Sequence, residues 1–255
     1  MSRILITGAS RGIGRGLAEE LSRRGHDVVA TARDVSALEG VPAELRVQLD
    51  VTDPASVNRA FAEAGPVDVL ISNAGATVRA PLETVPLTEV ARLFELNTFG
   101  ALRVAQAVLP QMRERGSGRL VFVSSVQGRI AMPLIGPYSA SKWALEAIAE
   151  GLAIETRHFG VDVQVFQPGA VSSGGSERAS VFLDEDDPYF PLLGQVGGFR
   201  TTPVTVEEFA TVVADALEAD HVPFRVPVGE AATAQLRARK LAPEDAPFVA
   251  APLDW

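Results

Sequence analysis

The stretch Arg3-Ile4-Leu5-Ile6-Thr7-Gly8-Ala9-Ser10-Arg11-Gly12-Ile13-Gly14 decides how the rest of the chain is to be read. Its first five residues suit a buried strand. After Gly14, the apolar residues Leu17, Ala18 and Leu21 fall on one helical face and Gly25 marks a stop. Glycines at 8, 12 and 14 stand between strand and helix. They permit a tight turn and let a ligand's phosphates approach the backbone. The helix N-terminus beyond offers unpaired N–H groups and the positive end of a dipole, a seat for a pyrophosphate.

Working outward, the alternation continues. Strand-like runs at 3–7, 27–32, 45–48, 67–72, 120–124, 161–167 and 224–228 are interleaved with helical patterns at 14–24, 54–64, 88–115, 137–158 and 206–219. Pro54 at a first helical position, after Thr52 or Asp53 as cap, fixes one helix start. The pattern predicts an α/β fold: a doubly wound parallel sheet of about seven strands with helices on both faces, in three layers. No repeat or linker divides residues 1–255, so one domain is expected. Ser172–Pro203 breaks the rhythm. It is rich in Gly and Pro, carries the acidic run Asp184, Glu185, Asp186 and Asp187, and interleaves Phe182, Tyr189, Phe190, Leu192, Leu193 and Phe199. Such a stretch is expected to be a lid or binding loop, because its aromatics would be wasted in water.

Composition narrows the function. The 255 residues include 23 Lys plus Arg, 32 Asp plus Glu and no Cys, for a net charge of -9. Disulfide scaffolds, Cys zinc sites and thiol nucleophiles are excluded. Excess negative charge argues against nucleic acid or an anionic membrane as partner. There is no apolar run long enough to span a bilayer and no signal-like N-terminus, which points to the cytoplasm. His26, His158 and His221 show no paired ligand spacing, so no metal is expected.

The second chemical signal is Tyr138 with Lys142, four residues apart and so on one helical face. The chain has only two Tyr and two Lys, the others being Tyr189 and Lys240, so a chance pairing is rare. A phenol titrates near 10, and a nearby ammonium is expected to lower that value toward neutral pH. Ser125 lies thirteen residues earlier, at the end of the 120–124 strand, where open α/β sheets bind ligands. Its hydroxyl can donate to a substrate carbonyl. Ser124 competes for that role.

Together these features resemble the short-chain dehydrogenase/reductase family over residues 3 to about 173. The turn has its Thr-Gly-x-x-x-Gly-x-Gly spacing. Asp50-Val51, Ser72-Asn73-Ala74-Gly75, Asn97 in Leu96-Asn97-Thr98-Phe99-Gly100, Ser124-Ser125, Tyr138-Ser139-Ala140-Ser141-Lys142 and Pro168-Gly169 follow in order. Ser72 stands where the family has Asn, and Ser173 where it usually has Thr. The resemblance implies a Rossmann-like nicotinamide-binding domain and hydride transfer at a CH–OH or C=O group. The cofactor would lie against Gly8, Ser10, Arg11, Gly12, Ile13, Gly14, Asp50, Val51, Asn73, Ala74, Gly75, Pro168, Gly169, Val171 and Ser173. Tyr138 would act as general acid and base, and Lys142 would also hold the nicotinamide ribose. Asn97 would support a water-bridged proton path through Lys142; by its residue type alone it could equally bond a helix backbone. With Ser125 these form the expected catalytic set.

Cofactor choice follows from the end of the second strand. Where an enzyme for NAD places an acid on the ribose 2′-OH, this chain has Ala32 followed by Arg33. Arg33, helped by Arg11, can clamp a 2′-phosphate. NADP(H) is therefore expected over NAD(H), with ribose binding by Asp34 as the alternative. Val126, Ile130, Met132, Leu134 and Ile135, with the lid, suggest an apolar pocket. Arg129, Arg178 and Arg200 are the available grips for a carboxylate, none obviously placed. The expected small-molecule partner is a neutral, largely apolar ketone, aldehyde or alcohol. A catalytically silent NAD(P)-binding regulator of the same fold is the alternative. A sugar-nucleotide epimerase is disfavoured because the chain is short for a second substrate domain. The resemblance also implies a homodimer or homotetramer built on 88–115 and 137–158, segments that could equally just cover the sheet.

Overall fold

The structure, a computed structural model, describes residues 1–175, 178–197 and 202–248. Its strands are β1 (Arg3–Ile6), β2 (Asp27–Ala32), β3 (Leu45–Gln48), β4 (Val69–Ser72), β5 (Val78–Arg79), β6 (Gly118–Val123), β7 (Val161–Pro168), β8 (Ser180–Val181) and β9 (Arg225–Val228). Seven of them form a parallel sheet in the order β3-β2-β1-β4-β6-β7-β9. The order reverses between β1 and β4, and the crevice at the C-terminal ends of these strands is where such sheets take ligands.

Helices α1 (Gly12–Arg23), α2 (Pro54–Ala64), α3 (Leu87–Phe94), α4 (Gly100–Arg115), α5 (Gly136–Thr156), α6 (Pro191–Gly197), α7 (Val206–Glu218) and α8 (Glu230–Leu241) complete the chain. Strands β1, β2, β4, β6 and β7 are largely buried on both faces because helices cover both. Leu5, Val29, Leu70, Phe122 and Val165 point to one core, shared with Val57 and Ala60 of α2, Val104 of α4 and Leu145 and Ala149 of α5. Their neighbours Ile4, Ile6, Val28, Ala30, Ile71, Val121 and Phe166 point to the other, against Leu17 and Leu21 of α1 and Phe209 and Val213 of α7. That is the expected doubly wound, three-layer arrangement. No helix among the described residues is long and apolar enough to cross a membrane.

The differences have physical causes. The 88–115 pattern is not one helix: α3 and α4 are separated by a π-helical turn, Glu95–Phe99, whose wider winding shifts the phase of everything after it. Helix α8 was not expected, and it buries only Ala232, so it lacks an apolar stripe to announce it. Helix α1 starts at Gly12 and not Gly14, and β6 starts at Gly118 and not Leu120. Of the two possible caps before Pro54, Asp53 is used, its carboxylate accepting from Ala55 N at 2.9 Å. Such a cap contributes about 1 kcal/mol.

The 172–203 segment carries structure of its own, β8 and α6. Strand β8 pairs in parallel with β5, and Phe182 packs against Val78, Ala80, Val85 and Leu93. The Tyr189 hydroxyl donates to Glu83 Oε2 at 2.5 Å. The segment is therefore tied to the chain between β4 and α3. Phe199 and Arg200 lie outside the described residues.

Candidate active site

The turn after β1 is built as its glycines require. Gly8 has φ of +69° and Gly12 of +53°, values that disfavour any side chain. A Cβ on Gly14 would overlap the Gly8 carbonyl oxygen and sit 2.6 Å from Asn73 Nδ2. Asn73 rivets the β4 end to this turn. Its Nδ2 donates to the carbonyls of Thr7 (2.9 Å) and Gly8 (3.2 Å), while Asn73 N and Ala74 N donate to Thr7 Oγ1 at 2.9 and 3.0 Å. Thr7 was not singled out from the sequence. Its signal was its position, directly before the first glycine.

The rest of the expected cofactor set gathers along the same crevice. Asp50 Oδ1 accepts from Thr52 N (2.9 Å) and Thr52 Oγ1 (2.7 Å), which fixes the bend after β3. Val51 packs on Gly100, where a Cβ would come 2.7 Å from Val51 Cγ2. Pro168 ends β7 and Gly169 follows it. Val171 bridges Val204, and Ser173 then folds over the glycine turn: a Cβ on Gly12 would lie 3.2 Å from Ser173 O. Ser10 and Ile13 are half-buried within the turn. Arg11 and Arg33 are exposed and form no ion pair among the described residues, whereas Ala32 is buried. Asp34 is already engaged, its Oδ1 accepting from Ser36 N (3.0 Å) and Ser36 Oγ (2.7 Å), bonds that hold its carboxyl below the usual range. The glycine cradle at a helix N-terminus fits the phosphates of a dinucleotide.

At the β6 end three side chains converge. Tyr138 and Lys142 lie on successive turns of α5. Lys142 is 5% exposed, and its Nζ donates to the Val123 carbonyl at 2.9 Å and sits 5.9 Å from the Tyr138 ring centre. Burial pushes the ammonium down to about 8, against an opposing pull from Glu146. The Tyr138 phenol is pushed up by burial, and a hydrogen bond with Ser125 only partly offsets this. The lowering expected from Lys142 is thus absent from this chain's own electrostatics. The ammonium is turned to a backbone carbonyl, and desolvation of the phenolate outweighs it.

Ser125 Oγ also donates to the Pro168 carbonyl at 3.4 Å and accepts from Gln127 N at 3.2 Å. Ser124 faces away from Tyr138: its Oγ is buried beside Gly128 and Glu146, without a partner among the described residues.

Asn97 sits in the π-helical turn and is 1% exposed. Its Oδ1 accepts from Ala76 N (2.9 Å); its Nδ2 donates to the Ala76 carbonyl (2.9 Å) and Ser141 Oγ (3.0 Å). Both polar ends are engaged by protein, so in this geometry Asn97 joins the 73–76 loop to α5. A Cβ on Gly75 would come 3.2 Å from Asn97 Oδ1, which keeps that loop close.

On the substrate side, Val126, Ile130 and Leu134 are buried in protein, leaving Met132 and Ile135 half-exposed. Leu134 has φ of +62°, a strained value for a branched side chain, and its carbonyl accepts from Ala80 N at 2.7 Å. Arg129 lies over the Trp143 ring at 5.8 Å, and Arg178 donates to the Ser173 carbonyl at 2.7 Å, so each has another partner. Cavities of about 580 Å³ along α8 and 490 Å³ beside Met1, Arg3 and His26 lie away from Tyr138.

Against known proteins, residues 2–181 match the family model for short chain dehydrogenase. A 3-ketodihydrosphingosine reductase of Bacteroides thetaiotaomicron is 38% identical over 182 residues, 70% of this chain and 67% of that protein. The 17-beta-hydroxysteroid dehydrogenase type 1 of Homo sapiens is 35% identical over 97% of this chain and 84% of its own length. Across such relatives the matched share of their length runs from 56% to 93%. A solved short-chain dehydrogenase from Streptomyces avermitilis aligns with a TM-score of 0.83 at 35% identity, covering 94% of this chain and 93% of that one. Another, from Burkholderia cenocepacia in complex with NADP, gives 0.78 at 28% identity, with coverages of 94% and 93%. The chain belongs to the short-chain dehydrogenase/reductase family, oxidoreductases that act on alcohol and carbonyl groups with a nicotinamide cofactor.

Proposed function

We propose that this protein is an NADP-dependent carbonyl reductase or alcohol dehydrogenase for a neutral, largely apolar small molecule, with Tyr138 as general acid and base. The observation that carries this is the convergence of the Ser125 hydroxyl, the Tyr138 phenol and the buried Lys142 beyond the end of β6. When bound, the cofactor supplies the hydride chemistry at its nicotinamide ring. Gly8, Ser10, Arg11, Gly12, Ile13, Gly14, Arg33, Asp50, Val51, Asn73, Ala74, Gly75, Pro168, Gly169, Val171 and Ser173 would hold it, with Tyr138 and Lys142 at its reactive end.

The chain's own groups then handle the proton. Ser125 donates a hydrogen bond to the substrate oxygen and orients it. Tyr138, kept protonated by its burial, gives its proton to that oxygen during reduction and takes it back during oxidation. Lys142 supplies positive charge beside the phenol, and Asn97 positions the helix that carries both. The part of segment 172–203 carrying β8 and α6 would close over the site as a lid and exclude water. The reading is tested by following nicotinamide absorbance with NADPH and a panel of apolar ketones and aldehydes. Tight NADPH binding with no consumption on any of them would sink it.

Support for NADP comes from the exposed Arg11 and Arg33 and the engaged Asp34. A bidentate charge-assisted pair contributes about 1.5–3 kcal/mol, so Arg33→Asp should lower the NADPH-over-NADH ratio of kcat/KM by at least about tenfold. If the native protein already favours NADH, the reading of Arg33 is wrong. Support for an apolar substrate comes from relatives named for 3-ketodihydrosphingosine and 17-beta-hydroxysteroids, both largely hydrocarbon. The same reading expects a homodimer or homotetramer on residues 88–115 and 137–158, where Phe99 of the π-helical turn and Trp143 and Ile154 of α5 are exposed. A monomer mass in light scattering would remove that part.

A further inference from the structure

A buried ammonium is costly unless a countercharge stands near it. The groups facing Lys142 come from several elements. Helix α5 supplies Tyr138 one turn before it and Glu146 one turn after it. The π-helical turn supplies Asn97, the loop after β4 supplies Gly75, and β6 supplies the Val123 carbonyl. Asn97, Gly75, Val123 and the protonated phenol are neutral, which leaves Glu146 as the carboxylate at hand.

Glu146 is itself 2% exposed, in the middle of the packed face of α5. Its Oε1 accepts from Gln167 Nε2 of β7 at 2.9 Å, and its Oε2 accepts from Arg225 Nε of β9 at 2.7 Å. The other arm of Arg225 reaches Glu150 Oε2 at 2.6 Å, and its guanidinium lies 4.7 Å from the Phe224 ring centre. Gly128 makes room for this cluster: a Cβ there would come 2.8 Å from Glu146 Cγ. Glu146, Glu150 and Arg225 together carry one negative charge, which faces the ammonium of Lys142 on one side and Arg129, near Glu150, on the other. The network also reaches the substrate side. Gln167 precedes Pro168, whose carbonyl accepts from Ser125 Oγ.

We propose that Glu146 is a positioning residue for the reaction: it holds Lys142 as an ammonium beside Tyr138 and, through Gln167, sets the strand end on which Ser125 rests. The catalytic side of this rests on the proton-handling roles given above. The electrostatic side stands independently, because it concerns charges within the chain.

The composition provides an unusually clean test. Lys142 and Lys240 are the chain's only lysines, so isotope-labelled lysine gives two Nζ-sensitive resonances, assigned with Lys240→Arg. In the native protein the Lys142 resonance should titrate at about 8. Glu146→Gln keeps the shape and an acceptor oxygen but removes the charge. Its Lys142 midpoint should fall by about one pH unit or more, a tenfold loss of proton affinity. Arg225→Gln should move the midpoint upward, since Glu146 then loses its competing cation; this variant serves if the first does not fold. A midpoint unmoved in the folded variants, with only a lower Tm, would make the network merely structural and overturn the proposal. With substrate, the alkaline fall of kcat should follow the same shifts. A limb that stays in place while the lysine midpoint moves would cut the link to catalysis. The resonances are read without substrate, so a failure of the functional reading leaves this measurement intact.

Discussion

Tyr138→Phe should lower kcat by about 10³-fold while NADPH binding stays within about twofold of native, because one proton-donating oxygen is removed and little else changes. The ring still fills its place on α5. Lys142 keeps its bond to the Val123 carbonyl, and the glycine turn is untouched. What is lost is the proton for the substrate oxygen and a partner for Ser125. Burial raises the native phenol, so the variant should be most handicapped in carbonyl reduction, where a protonated donor is needed. Single-turnover kinetics and equilibrium NADPH titration measure the two effects separately. Near-native turnover in the variant would remove Tyr138 from the chemistry.

Gly14→Ala should be nearly as damaging by another route. The added Cβ would overlap the Gly8 carbonyl oxygen and press on Asn73 Nδ2, the atom that fastens the β4 end to the turn. Overpacking costs about 1–3 kcal/mol, and each hydrogen bond lost to relieve it costs about 1 kcal/mol more. For a chain of this size that corresponds to a fall in Tm of roughly 10 °C. NADPH affinity should drop with it, since the displaced groups form the phosphate cradle. Gly151→Ala is the control: it lies within α5, its Cβ would meet nothing within 4 Å, and the change should be neutral or slightly stabilising. Equal melting behaviour of the two variants would show that the close approach at Gly14 does not matter.

These two residues show what could be learned from the chain alone. The glycine turn was legible because its constraint is local: positive φ at Gly8 and Gly12 is a property of consecutive residues. The seven strands and most helices were legible because hydrophobic period is local too. Helix α8 was not, since it hides little apolar surface, and neither was the π-helical turn at Asn97, where a change of winding leaves no mark on residue type. Ser124 and Ser125 could not be separated by type; strand direction turns one to Gly128 and the other to Tyr138.

Electrostatics was the least legible. Sequence spacing placed Lys142 one turn from Tyr138 and suggested a lowered phenol. Only the packed structure shows that Lys142 is buried and Tyr138 half-buried, that the ammonium faces Val123, and that desolvation prevails. Glu146 and Arg225 are 79 residues apart in sequence, so no spacing rule could pair them. By itself the sequence determined the turn, the order of strands and helices, and the placing of Tyr138 and Lys142 on one helical face, because each is written in neighbouring residues. The tertiary structure alone decided which charges face one another and how much water reaches them, because burial depends on what the whole chain brings alongside.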